Sequence, residues 1–89
     1  MNNAEIAEIL QNMADLLEIQ NIPFKPQAYR NAARTIEALT ENLTEIARRN
    51  ELEQLPGIGK HIAEKITELL RTGKLRTYTQ LKKEIPVDV

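Results

Sequence analysis

Leu55-Pro56-Gly57-Ile58-Gly59-Lys60-His61-Ile62-Ala63-Glu64-Lys65-Ile66 decides how the rest of the chain is read. Two glycines one residue apart follow a proline and lead into an amphipathic run. Glycine tolerates positive φ and lets another backbone approach, so Gly57 and Gly59 are expected to turn the chain with their amides exposed. A helix starting at that turn offers free N–H groups and the positive end of its dipole, which together favour a phosphate. Lys60 would assist. The plainer reading is a helix-to-helix turn built from Pro and Gly. A bare Gly-x-Gly would leave that reading ahead, but the full spacing through Ile62-Ala63-x-Lys65-Ile66 is far more specific and favours the phosphate site. The carbonyls of Glu53, Leu55 and Ile58 in the same loop are candidates to hold a monovalent cation.

Apolar spacing on either side predicts helices throughout. Ile6, Ile9, Leu10, Met13, Leu16 and Leu17 recur at three and four, and Asn21-Ile22-Pro23 ends that stripe. Pro26 fits the first turn of a second helix marked by Tyr29, Ala32, Ala33, Ile36 and Leu39, whose alanines imply a closely packed neighbour. Leu43, Ile46 and Ala47 suggest a short third helix, with a further turn over 51–55. Ile62, Ala63, Ile66, Leu69 and Leu70 define the helix after the hairpin, with Gly73 as its C-cap. Leu75, Tyr78, Leu81 and Ile85 give a last helix ended by Pro86. No strand alternation, repeat or low-complexity segment is visible. The expected class is all-α: a compact bundle of four or five helices over 1–89, one domain. The terminal Pro86-Val87-Asp88-Val89 reads as a linker into a further domain.

Composition sets the bounds. The 89 residues contain no cysteine, so disulfides and thiolate metal sites are excluded, and the single His61 lacks companions for zinc. No apolar run approaches the roughly 20 residues of a membrane span, and no signal peptide is visible, which points to a soluble intracellular protein. The formal net charge of −1 argues mildly against a polyanion as partner, but its distribution does not. Residues 1–24 carry four acidic and no basic side chains, residues 25–54 five of each, and residues 55–89 seven basic against four acidic. The basic excess lies with the hairpin, masked by an acidic first helix.

Lys65 is a candidate nucleophile, because a deprotonated lysine amine attacks aldehydes to form a Schiff base. An ordinary lysine, with pKa near 10.4, is neutral in only a few molecules in about ten thousand at pH 7. His61 precedes it by one turn. The blander expectation is a solvated lysine pairing with Glu68 at i+3, and spacing alone favours that. Lys25 and Tyr29, one turn apart, are candidates to bind a phosphate, although Tyr29 by itself reads as a core aromatic. Arg30 and Arg34 form a basic pair that serves equally as a solvated face.

Phe24-Lys25-Pro26-Gln27-Ala28-Tyr29-Arg30-Asn31-Ala32-Ala33, followed by Leu55-Pro56-Gly57-Ile58-Gly59 and on through Thr72-Gly73-Lys74-Leu75, resembles the N-terminal 8-kDa helix-hairpin-helix domain of family X DNA polymerases, the DNA polymerase beta-like group. The approach Ile22-Pro23-Phe24-Lys25 is more like its bacterial and archaeal members. The resemblance runs from the first helix to about Ile85. It implies a sequence-independent DNA-binding domain of a repair polymerase, a nucleotidyltransferase acting in base excision repair. Its partner would be the 5′-phosphate side of gapped or nicked DNA. The chain would then be a monomer, the N-terminal part of a longer cytoplasmic protein, nucleoid-associated in a prokaryote. The family's Schiff-base lysine falls on Lys65, its phosphate-pocket lysine and tyrosine on Lys25 and Tyr29, and its base-stacking position on Phe24. K+ or Na+ is implied at the hairpin carbonyls, and Mg2+ only for a polymerase domain outside this chain.

One departure, Phe24 in place of a histidine, preserves stacking, and the others remove positive charge. A second phosphate-pocket lysine is His61 here, a basic position before the hairpin is Glu53, and Asn31 and Thr77 replace two further basic residues. That leaves two alternatives beside simple DNA binding: a 5′-deoxyribose phosphate lyase acting through Lys65, and a non-enzymatic bundle whose acidic first helix binds a protein.

Overall fold

A computed structural model describes residues 1–84, and the expectations for Ile85 and Pro86 lie outside the described residues. Among the described residues the chain forms five α-helices and no strand: α1 Asn3–Ile19, α2 Lys25–Glu37, α3 Leu43–Arg48, α4 Lys60–Thr72 and α5 Arg76–Glu84. A single turn of 3-10 helix, Leu52–Gln54, stands before the hairpin. The all-helical class is therefore as the periodicity predicts.

α1 starts with a reciprocal cap. The Asn2 side chain accepts the Glu5 N–H at 2.8 Å, and the Glu5 carboxylate accepts the Asn2 N–H at 2.9 Å. α1 then packs mainly against α2. The predicted stripe is buried at Ile6, Leu10, Met13 and Leu17, while Ile9 and Leu16 pack partly exposed at its edge. Ala7 and Ala14 of α1 are as deeply buried as Ala32 and Ala33 of α2, which lets the two backbones approach. α5 closes on α1 through Asn12, whose amide donates to the Tyr78 hydroxyl at 3.2 Å, and Lys82 lies 4.4 Å over the Tyr78 ring. Asn3 pins the start of α3 by accepting the Leu43 N–H at 2.9 Å and donating to the Glu41 carbonyl at 2.8 Å. No polar or charged residue is buried among the described residues, so every group able to meet a ligand lies at the surface.

Surface charge is partly spent on holding helices together. Arg30 donates to Asp15 at 2.9 Å, to Glu18, and to Gln11 at 3.3 Å, all on α1. Arg30 is therefore an α1–α2 tie rather than half of a solvated basic pair, and its hydrogen bonds to Asp15 and Glu18 hold its pKa above the ordinary range. Arg49 bridges Glu41 and Glu51, and its hydrogen bond keeps the Glu41 carboxyl below its usual value. A depressed folded-state pKa contributes stability above the unfolded value, which is lost as pH falls through the folded one. Arg49→Met is accordingly expected to lower the melting temperature slightly at pH 7, with the difference from the parent narrowing as acid protonates the Glu41 carboxylate. Thermal melts of both proteins along an acid titration check this.

Candidate functional site

The hairpin is a hydrogen-bonded turn held against the core and α2. Ile58 donates its N–H to the Leu55 carbonyl at 3.1 Å, Pro56 occupies the second position, and Gly57 has φ +77° at the third. This is the β-turn in which proline presets one corner and glycine supplies the left-handed one. Between Pro56 and Lys60 only the Ile58 side chain is buried, at 3% exposure. The turn rests on α2. The Thr35 hydroxyl donates to the Pro56 carbonyl at 2.7 Å, and a Cβ on Gly57 would meet Asn31 at 3.6 Å.

Gly59 differs from Gly57, contrary to the expectation that both turn the chain. Its φ of −91° and ψ of −172° are extended backbone that any residue adopts. A Cβ there meets nothing within 4 Å. Gly59 is the N-cap of α4, and the comparison with α1 is informative: Asn2 caps α1 from nearly the same backbone, φ −93° and ψ 171°, and its side chain satisfies an amide. Asn42 does the same for α3, accepting the Thr44 N–H at 3.0 Å. Gly59 has no side chain to do so. Among the described residues, the N–H groups of Lys60, His61 and Ile62 find no acceptor. Three donors and a helix dipole therefore face outward at a position left open on all sides.

The carbonyls of Glu53 and Ile58 accept no backbone hydrogen bond, and that of Leu55 accepts one. Each keeps a lone pair of the kind a hard monovalent cation takes as an oxygen ligand. Glu53, Lys60 and His61 are exposed.

Phe24 and Lys25 form a second exposed feature at the start of α2. The Lys25 N–H reaches back to the Pro23 carbonyl at 2.8 Å, and Phe24 between them has φ +70° and ψ −40°. This tight γ-turn of positive φ is a strained conformation for an aromatic residue, costing about 1–3 kcal/mol. The strain gains no burial, since the Phe24 side chain is 89% exposed. Lys25 is exposed, with no carboxylate within 4 Å among the described residues. Tyr29 lies in the core at 7% exposure, and burial pushes its phenol upward. Its hydroxyl has no partner yet is not sealed from solvent, so the ring serves the core while the oxygen reaches the surface. Lys25 stands about 15 Å along the α2 axis from Thr35, where the hairpin docks.

Lys65 is not paired with Glu68. Its Nζ donates to the Thr77 hydroxyl at 3.1 Å. Glu68 is taken instead by α5, accepting the Arg76 N–H at 2.8 Å with the guanidinium Nε 3.6 Å away. Lys65, Glu68, Arg76, Thr77 and Glu84 line a groove of about 530 Å³ between α4 and α5.

Ion pairs among the described residues engage Arg30, Arg48, Arg49 and Arg76. Of the remaining cations, Lys25 and Arg34 lie on α2, and Lys60, Lys65, Arg71, Lys74, Lys82 and Lys83 follow the hairpin. The charge bias read from the sequence is thus a bias in unpaired charge. Sequence reasoning missed Thr35 and the cap-like part of Glu68, which depend on contacts across 21 and eight residues and leave no local signal.

Residues 1–75 match the family model of the helix-hairpin-helix domain. Over 87 residues, 97% of the chain, the sequence is 33% identical to the DNA polymerase/3′-5′ exonuclease PolX of Bacillus subtilis (strain 168). Over 85 residues it is 29% identical to DNA polymerase lambda of Rattus norvegicus. The chain spans only 15% and 14% of the lengths of these relatives.

Proposed function

Because the chain belongs to the helix-hairpin-helix domain family, in the form shared with family X polymerases, we propose that it binds DNA without reading sequence. The observation that carries this reading is the uncapped start of α4: three free amides behind a rigid turn, with open space at Gly59. They take a backbone phosphate, and such contacts position a duplex while reading no bases. Lys25 takes the 5′-phosphate at a gap, with the Tyr29 hydroxyl beside it. The exposed Phe24 ring stacks on an unpaired base, which gives its strained backbone a purpose. K+ or Na+ at the carbonyls of Glu53, Leu55 and Ile58 would bring the phosphate oxygen an added positive charge. In this reading the chain is the gap-end anchor of a larger repair polymerase, working as a monomer in base excision repair.

Fluorescence anisotropy with gapped duplexes tests it. Two to four phosphate contacts give a log–log salt slope of about −2 to −4. A 5′-phosphorylated gap is expected to bind several-fold tighter than a 5′-hydroxyl gap, and Lys25→Ala to abolish the difference. Equal affinity of the parent protein for both gaps removes Lys25 from the phosphate. No binding to either at low salt would favour a protein-interaction bundle.

The groove at Lys65 supports a second reading, a 5′-deoxyribose phosphate lyase. The Thr77 hydroxyl holds the amine at the groove wall, where the C1′ aldehyde of the sugar would condense with it. Borohydride reduction on incised abasic DNA is expected to give a covalent adduct that Lys65→Ala abolishes. An adduct undiminished in that variant removes Lys65 from the role.

A further inference from the structure

Resting on the lyase reading of Lys65, we propose that Glu68 is the general base that removes the C2′ proton of the sugar. Schiff-base formation alone breaks no bond to DNA. Elimination needs a base close to the carbon next to the imine, and an ammonium-forming lysine already spent on the imine cannot supply it.

Three carboxylates compete for the role. Glu64 adjoins Lys65 in sequence, but it lines only the neighbouring groove toward Asn50 and Leu52, whereas Glu68 lines both that groove and the one that holds Lys65. Glu84 shares the groove of Lys65, yet it lies seven residues beyond Thr77 on α5, about 10 Å along the axis. Glu84 also accepts hydrogen bonds from Gln20 at 3.2 Å and Gln80 at 3.1 Å. Glu68 stands three residues after Lys65 on the same helix, which places the two Cβ atoms about 5–6 Å apart. That distance suits a sugar carbon adjacent to the one bonded to Nζ.

Glu68 is also oriented for the task. Its Oε2 accepts the Arg76 N–H at 2.8 Å and faces the Arg76 guanidinium at 3.6 Å, while Oε1 makes no hydrogen bond. One oxygen is anchored and the other is free to take a proton. Thr77, rather than Glu68, holds Lys65, so forming the imine does not require breaking a lysine–carboxylate pair.

The electrons balance without any added redox partner. The Lys65 amine adds to the C1′ aldehyde and water leaves, giving the iminium. Glu68 takes the C2′ proton, and the C–H pair flows toward the iminium nitrogen. Its return forms the C2′–C3′ double bond as the C3′–O3′ bond breaks. The DNA leaves with its 5′-phosphate, and water hydrolyses the conjugated imine to free Lys65.

The test is single-turnover elimination and borohydride trapping on incised abasic DNA, with Glu68→Gln and Glu68→Ala beside the parent protein. Gln keeps an acceptor for the Arg76 N–H, so the fold is retained, which thermal melting verifies. The expected result is undiminished or increased trapping in Glu68→Gln, with elimination slower by about 100-fold. Added formate is expected to restore elimination in Glu68→Ala. Elimination by Glu68→Gln at the parent rate overturns the assignment of Glu68 while leaving Lys65 in place. No trapped adduct with the parent protein overturns the lyase reading itself.

Discussion

Gly59→Asp is expected to weaken binding to gapped duplex DNA at least about tenfold while the melting temperature holds level or rises slightly. The two effects share one cause. Gly59 has the extended backbone of an N-cap, nearly that of Asn2, and free space where a side chain would stand. An aspartate oxygen there satisfies an amide in the first turn of α4 and complements the helix dipole, worth a few tenths of a kcal/mol over glycine. The same oxygen occupies the place proposed for the DNA phosphate and repels it. A tenfold loss corresponds to about 1.4 kcal/mol. Gly59→Ala separates the terms, since it adds bulk without charge and should weaken binding less. Gly57 is the opposite case: its φ of +77° makes any side chain there costly to the fold itself. Anisotropy titrations and melts on the same preparations check both signs.

Ile58→Ala is expected to cost about 2–4 kcal/mol, a large part of the roughly 4–13 kcal/mol available to a domain of this size. Ile58 is the one buried side chain between Pro56 and Lys60, and with the partly buried Leu55 it ties the turn to the core shared by α1, α2 and α4. Truncation removes that apolar contact and leaves a cavity beneath the turn. The melting temperature should fall by at least about 10 °C, whereas Ile58→Val should cost about 0.5–1.5 kcal/mol. A small change in Ile58→Ala would mean that the Thr35–Pro56 hydrogen bond holds the hairpin instead.

The helices were legible because their signals are local. The stripe from Ile6 to Leu17, Pro26 inside the first turn of α2 and Gly73 as a left-handed cap each depend on neighbours within four residues. Ala7 and Ala14 escaped notice because alanine reads as a neutral spacer until a partner helix approaches it. The hairpin was located correctly, but its two glycines look alike in sequence while doing different things. Gly57 is needed for its positive φ, whereas Gly59 has the extended backbone of an N-cap and open space where a side chain would stand. Charge was the least legible part. Lys65 and Glu68 are spaced as a helical pair, yet the start of α5 takes Glu68 and Thr77 takes Lys65. Arg30 likewise prefers Asp15 and Glu18, fifteen and twelve residues away, to the solvated face it would share with Arg34. The positive φ of Phe24 arises from closing Pro23 onto Lys25, which no propensity scale anticipates.

The central claim is that the free amides at the start of α4 hold a DNA phosphate, and amide chemical shifts report on it directly. In a 15N-labelled sample titrated with a 5′-phosphorylated gapped duplex, the account predicts the largest shifts at the backbone N–H groups of Gly59, Lys60, His61 and Ile62. Signals along α1 should stay nearly still. Large shifts on α1 with unmoved amides at 59–62 would contradict it.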